Sequence, residues 1–210
     1  MKKTAHGKIF ALPLPDGTYL FGRVMLEVMP VLKRRLLPYD SPLLFYSDTY
    51  LVEMYSATAP RPEYVPSPIL IPAAFVGRGM VGRQWPVVGQ RPVDPRTVAF
   101  PETLSGWGHS EGEGAFQSGE IRYPVPFTED DVQRRIRVLG SWTVPAGWAD
   151  CCLWPLGHRK PYAGEFLLHS DLRFSPQHRA EVYKHLPFSM EMSYFEKQAQ
   201  LGLHLERFYE

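Results

Sequence analysis

Several groupings of residues in this 210-residue chain carry the letters of known chemistry. Gly77-Arg78-Gly79-Met80-Val81-Gly82 fits G-x-G-x-x-G, the loop that cradles a dinucleotide pyrophosphate. Such a loop must open a helix, because the helix N-terminus holds the phosphates. Here Trp85-Pro86 and Val87-Val88 follow, and they favour a strand. The next acidic residues, Asp94 and Glu102, sit among prolines. The pattern therefore reads as a turn between strands. Gly108-His109-Ser110-Glu111-Gly112 fits G-x-S-x-G, a serine nucleophile elbow. An elbow needs a strand before the serine and a helix after it. Leu104-Ser105-Gly106-Trp107 is a poor strand, and Glu113-Gly114 is a poor helix start.

Metal chemistry finds little purchase. Cys151 and Cys152 are adjacent, without the two-residue gap of a zinc knuckle and too close to bridge without strain. They read as buried thiols of a reducing compartment. His169-Ser170-Asp171 would place two ligands on one face of a strand, with His158 as a third, although a histidine at a strand end more often makes a hydrogen bond or faces solvent. His178 and His185 could share a helix face, but no carboxylate motif joins them. Asp130-Asp131 suits the positive end of a helix dipole better than acid–base catalysis. No catalytic residue, no metal and no cofactor is expected. A small hydrolase using Ser110 or a His169/Asp171 site is one alternative reading, and a scaffold or regulatory binding module is another.

The elements that would hold these residues are strand-like first and helical last. Alternation and β-branched content predict strands at Lys8 to Leu14, Thr18 to Val28, Thr49 to Tyr55, Ile69 to Val76 and Trp85 to Val88. Proline is dense from Pro30 to Pro101, so only a turn or two of helix is expected there, around Val31 to Leu37. Ser105 to Gly119, rich in Gly, Ser and Glu, reads as an exposed loop. A capped helix is expected from Thr128 to Ile136, with strands around Arg137 to Val144 and Glu165 to His169. Ser175-Pro176 starts a helix that runs to Leu186 before Pro187. Ser193-x-x-Glu196 is a capping box for another, and Gly202 suits its stop. Leu203 to Tyr209 forms a last short helix. Phe45, Tyr46, Tyr50, Tyr55 and Tyr64 are expected to pack in the core.

The first strands define a hairpin. Ile9, Ala11, Tyr19 and Phe21 alternate around Pro15-Asp16-Gly17. Proline presets the first turn position, Asp tolerates the next and Gly accepts positive φ, so a type I turn closed by a glycine bulge is expected. Pro13 and Pro15 lack amide donors, so the first arm should be an edge strand or leave its sheet early.

The run from Gly7 through Ile9-Phe10-Ala11, Pro13-Leu14-Pro15-Asp16-Gly17, Tyr19 and Phe21-Gly22-Arg23-Val24 resembles the immunity protein 26 family of bacterial polymorphic toxin systems. Trp85-Pro86-Val87-Val88-Gly89 with Arg91-Pro92-Val93 resembles a later segment of that family. Asp171 to Pro176, Met192 to Glu196 and Leu205 to Tyr209 resemble C-terminal extensions of its longer members. The resemblance implies a cytoplasmic inhibitor that binds a cognate toxin domain, and it carries no catalytic residues.

Composition agrees with a folded binding protein. Hydrophobic residues are 44% and aromatic residues 13% of the chain, enough for a sizeable core. A net charge of +1 argues against a dedicated nucleic-acid binder. The longest apolar run, Ile69 to Val76, contains Pro72 and is far too short to span a membrane. The apolar run after Lys2-Lys3 is broken by Pro13, Pro15 and Asp16, unlike a signal peptide. The fold expected is α+β: a bent antiparallel sheet or partly open β-barrel in the N-terminal two-thirds, with C-terminal helices packed on it. A single domain, 1–210, is expected, β-rich over 7–126 and mixed over 127–210. Toxin contact is assigned to Trp107, His109, Glu111, Glu113 and Glu120. Exposed tryptophan is an interface anchor, and carboxylates would meet a basic partner such as a nuclease.

Overall fold

The computed structural model describes residues 5–105, 114–127, 131, 147–158, 160 and 171–210. Strands β1 (Lys8–Pro13), β2 (Tyr19–Glu27), β3 (Thr49–Ala59), β4 (Ile69–Gly77) and β5 (Val87–Gln90) form one antiparallel sheet in the order β4-β3-β2-β1-β5. Strands β6 (Thr103–Ser105), β7 (Gly114–Ser118) and β8 (Ile121–Val125) form a second, three-stranded antiparallel sheet. Helices α1 (Val28–Lys33), α2 (Trp148–Leu153), α3 (Pro176–Tyr183) and α4 (Tyr194–Gln200) are all short. The class is α+β, and the larger sheet remains open rather than closing into a barrel. Register shifts between Leu20 and Gly22, Val24 and Leu26, and Val52 and Met54 mark bulges that bend its strands. Among the described residues, no helix is long and apolar enough to cross a membrane.

The opening hairpin folds as its residues dictate. Gly17 takes φ +85° and donates its N–H to the Leu14 carbonyl at 3.0 Å, and Leu14 donates to Thr18 at 2.8 Å. Asp16 Oδ1 accepts from the Thr18 amide at 2.9 Å and from its hydroxyl at 2.7 Å. This is the type I turn with a glycine bulge. The edge-strand expectation needs correction, because β1 lies inside the sheet between β2 and β5. The arm does not leave the sheet early either: β5 pairs with Lys8, Ile9 and Phe10 alone, but β1 stays paired with β2 through Pro13.

Two large clusters fill the interior. Phe10, Leu12, Leu20, Val24, Val52, Met54 and Ile71 pack with Trp85, and α2 brings Trp148, Cys151 and Cys152 onto them. Phe10 and Trp85 stack at 5.3 Å. Gly22 permits this crossing: a Cβ there would lie 2.4 Å from Phe10 Cζ and 2.8 Å from the Glu53 carbonyl oxygen. The second cluster joins Met25, Leu51, Phe75, Phe100 and Phe116 to Tyr183, Tyr194, Leu205 and Phe208 from the C-terminal elements. Each fully buried phenylalanine contributes about 2–3 kcal/mol of transfer free energy.

Other boundaries also move. Residues Gly114–Ser118, read as exposed loop, form β7 with Ala115 and Phe116 fully buried. Composition misled there, since small residues suit a strand squeezed between two neighbours. The fifth strand starts at Val87 because Trp85 turns inward, at 4% exposure. Helix α1 begins three residues before Val31. Helix α3 ends at Tyr183, short of Leu186. Pro176 stands at its first turn, but the Ser175 hydroxyl pairs with His178 Nδ1 at 2.7 Å instead of capping the backbone. The Ser193–Glu196 capping box forms in both directions, and Gly202 follows the helix at φ +70°. Leu205–Phe208 is a single 3-10 turn. Of the helix expected at 128–136 only Asp131 is described, and it is helical; the strands at 137–144 and 165–169 lie outside the described residues, as does Ser110.

Candidate functional site

The groups singled out for chemistry are held by the architecture. Gly77 ends β4, residues 78–86 make turns and an isolated bridge from Val81 to Trp85, and β5 follows rather than a helix. A phosphate loop has no helix N-terminus there. The glycine-serine pattern at 108–112 lies outside the described residues, and the strands on either side of it, β6 and β7, are antiparallel neighbours. Residues 103–105 are strand after all. Cys151 and Cys152 are free and fully buried. Burial raises the Cys151 thiol to about 12 and lifts Cys152 well above the usual range. Asp171, half of the His169/Asp171 pair, is 4% exposed. Its Oδ1 accepts from the Glu102 amide at 3.2 Å, the Arg173 amide at 3.0 Å and Arg173 Nε at 2.9 Å. Arg173 in turn donates to the Ala73 carbonyl at 3.0 Å, from the side of β4 that lacks a strand neighbour. Among the described residues, no group of His, Cys, Asp and Glu could hold a metal ion.

The densest polar cluster went unsuspected in the sequence. Glu102 stands just before β6, 4% exposed. Its carboxylate accepts Arg179 Nε at 2.6 Å and Nη2 at 3.0 Å, the Tyr183 hydroxyl at 2.6 Å and Lys197 Nζ at 3.0 Å. Helix α3 supplies the first two residues and α4 the third. Burial pushes the Glu102 carboxyl up, but the Arg179 hydrogen bond, the Lys197 charge and the Tyr183 hydroxyl outweigh it and hold the carboxyl below its usual value. Burial likewise lowers Lys197, against the pull of Glu102. These partners are separated by 77 to 95 residues, so no spacing rule reveals them.

Of the five residues assigned to toxin contact, Trp107, His109, Glu111 and Glu113 lie outside the described residues, in the connection from β6 to β7. Glu120 sits in the two-residue turn between β7 and β8, and its carboxylate faces inward. Its Oε2 accepts Gln198 Nε2 at 2.9 Å, and Oε1 pairs with Arg207. Its amide donates to the Tyr194 hydroxyl at 3.0 Å. Burial raises its pKa, with Arg207 and Gln198 opposing. The turn demands Gly119 at φ +56°, where the Tyr194 hydroxyl would lie 2.3 Å from a Cβ.

Among the aromatics, Tyr50 and Tyr55 are buried as expected. Tyr64 packs near Phe21 and Tyr55, and Tyr46 stacks on Phe75 at 3.9 Å. Phe45 is the correction, because it is 73% exposed.

A bent open sheet, a second small sheet and short helices tied together by buried charge define an α+β protein whose described polar chemistry serves its own architecture. Residues 5–106 match the family model for Immunity protein 26, the family that the opening hairpin resembles. The match takes in both the hairpin and the Trp85–Val93 segment. It ends just past β6, so β7, β8 and the helices that hold Glu102 and Glu120 lie beyond it. No curated protein and no solved structure matches the chain.

Proposed function

We propose that this chain is a non-enzymatic immunity protein that binds a cognate bacterial toxin domain and blocks its active site or its substrate. The observation that carries the reading is the Immunity protein 26 match over residues 5–106. The buried Glu102 and Glu120 clusters support it, since their charges are paired within the fold. The setting proposed is the cytoplasm of a bacterium engaged in interbacterial competition, within a polymorphic toxin system, with neither nucleic acid nor membrane as partner. The chain would work as one domain over 1–210, because carboxylates before and after β7 are tied to helices past residue 170.

In this reading Trp107, His109, Glu111 and Glu113 contact the toxin. Glu120 holds the β7–β8 hairpin in place. Carboxylates at the contact suit a toxin with a basic, phosphate-binding face, and a nuclease has one. The test is co-expression with the toxin domain encoded by the adjacent gene. Growth should be rescued, and the two proteins should co-purify. If cells carrying both still die and no complex forms, the reading fails.

A further inference from the structure

The segment between α1 and β3 carries the two most exposed aromatic rings of the described residues, Tyr39 at 94% and Phe45 at 73%. Their backbone is nonetheless fixed. Helix α1 closes with a Schellman motif: Leu36 N–H donates to the Val31 carbonyl at 3.2 Å and Arg35 N–H to Leu32 at 2.9 Å. Val31 is buried in the core beneath it, and the partly buried Leu36 packs against the same cluster. A turn follows in which Ser41 N–H reaches the Pro38 carbonyl at 3.1 Å, with Tyr39 and Asp40 at its tip. A 3-10 turn, Pro42–Tyr46, comes next. Leu43 is fully buried, Tyr46 lies flat on Phe75, and Thr49 Oγ1 donates to the Tyr46 carbonyl at 2.6 Å. Anchors on either side of Phe45 thus leave its ring standing in water.

Arg35 sharpens the picture. It occupies the left-handed position of the Schellman motif at φ +55°, the one described residue other than glycine with positive φ. Glycine is what that position favours, so the arginine costs the fold stability. Its side chain is exposed, as is that of Lys33, and neither makes an ion pair among the described residues. Tyrosine and arginine are the types that dominate binding hot spots, and a pinned backbone loses little entropy on binding. Among the described residues, no contact of the fold uses the two rings or the guanidinium.

We infer that this platform, Lys33 to Ser47, is a docking surface for the toxin domain, so the inference rests on the immunity reading. Phe45 and Tyr39 enter apolar recesses of the toxin, and Lys33 and Arg35 meet carboxylates at their margin. The surface lies inside residues 5–106 and is separate in sequence from the contact proposed around Trp107.

The experiment measures the Kd of the full chain for a catalytically inactivated form of the toxin domain encoded beside its gene, together with each variant's Tm. Tyr39→Ala and Phe45→Ala should each weaken binding about 10- to 100-fold with Tm unchanged. Arg35→Gly should weaken binding about tenfold and raise Tm by about 2 °C, a split that a purely structural role would not produce. If all three variants bind as the wild type does, or lose affinity only in step with Tm, the platform is not the interface while the immunity reading stands. If the wild-type chain itself does not bind, both fall.

Discussion

Replacing Glu102 by glutamine keeps the shape of the side chain and removes the charge on which α3 and α4 converge. The carboxylate side chain is 5% exposed and the Lys197 side chain 3%. After the change, Lys197 and the partly buried Arg179 share no anion. Breaking one partner of a buried pair costs about 3–5 kcal/mol, because the other charge is left uncompensated in a poor solvent. For a chain of this size each kcal/mol moves Tm by about 2–4 °C, so Glu102→Gln should melt about 10 °C lower. Calorimetry at neutral pH measures it directly. The double variant Glu102→Gln/Lys197→Met should recover about half of the loss, since removing both members of a buried pair is far less costly than removing one. The pH dependence follows from the direction of the shift. Glu102 is held below its unfolded pKa, so its stabilisation is complete above that unfolded value and disappears as pH falls through the folded one. The gap between wild type and Glu102→Gln should therefore close in acid. A single variant melting within 2 °C of wild type, or a double variant no better than the single, would refute the reasoning.

Other perturbations read other parts of the molecule. Gly22→Ala places a methyl against Phe10, Met54 and the Glu53 carbonyl at the centre of the large sheet, and chemical denaturation should show a loss of about 3 kcal/mol. Cys151 and Cys152 should resist alkylation at pH 8 in the native chain and react together after unfolding, as thiol titration can show. Ser193→Ala removes the hydroxyl oxygen that accepts the Glu196 N–H at 3.2 Å, and the melting curve should fall by about 3 °C.

Features written into neighbouring residues were legible in the sequence. Pro15-Asp16-Gly17 specified its turn, Ser193 and Glu196 their reciprocal cap, and the β-branched and aromatic runs of β1 to β4 their strand character, because each depends on chemistry a few positions apart. The glycine pattern at 77–82 was correctly read as a turn because Trp85-Pro86 forbids a helix. Three features were hidden. Strand β7 was masked by small residues, whose burial depends on what lies on either side of them. Helix α2 is anchored by Trp148 and two cysteines that cap the far side of β1 and β3, a distance no local rule reports. The Glu102 cluster draws on three separated segments, so each member looked like an ordinary charged residue. Phe45 failed for the opposite reason: an aromatic among prolines resembles core until the turn that presents it is known.

The order in which the chain is made gives those buried ion pairs a further meaning. Once β8 has emerged from the ribosome, Glu102 and Glu120 are outside it without Arg179, Lys197 or Arg207, which emerge later. Until they emerge, two carboxylates destined for the interior must stay in water, and the small sheet cannot close over them. A premature stop anywhere in the last helix would leave a polypeptide carrying the whole family-matched segment and yet unable to complete its fold.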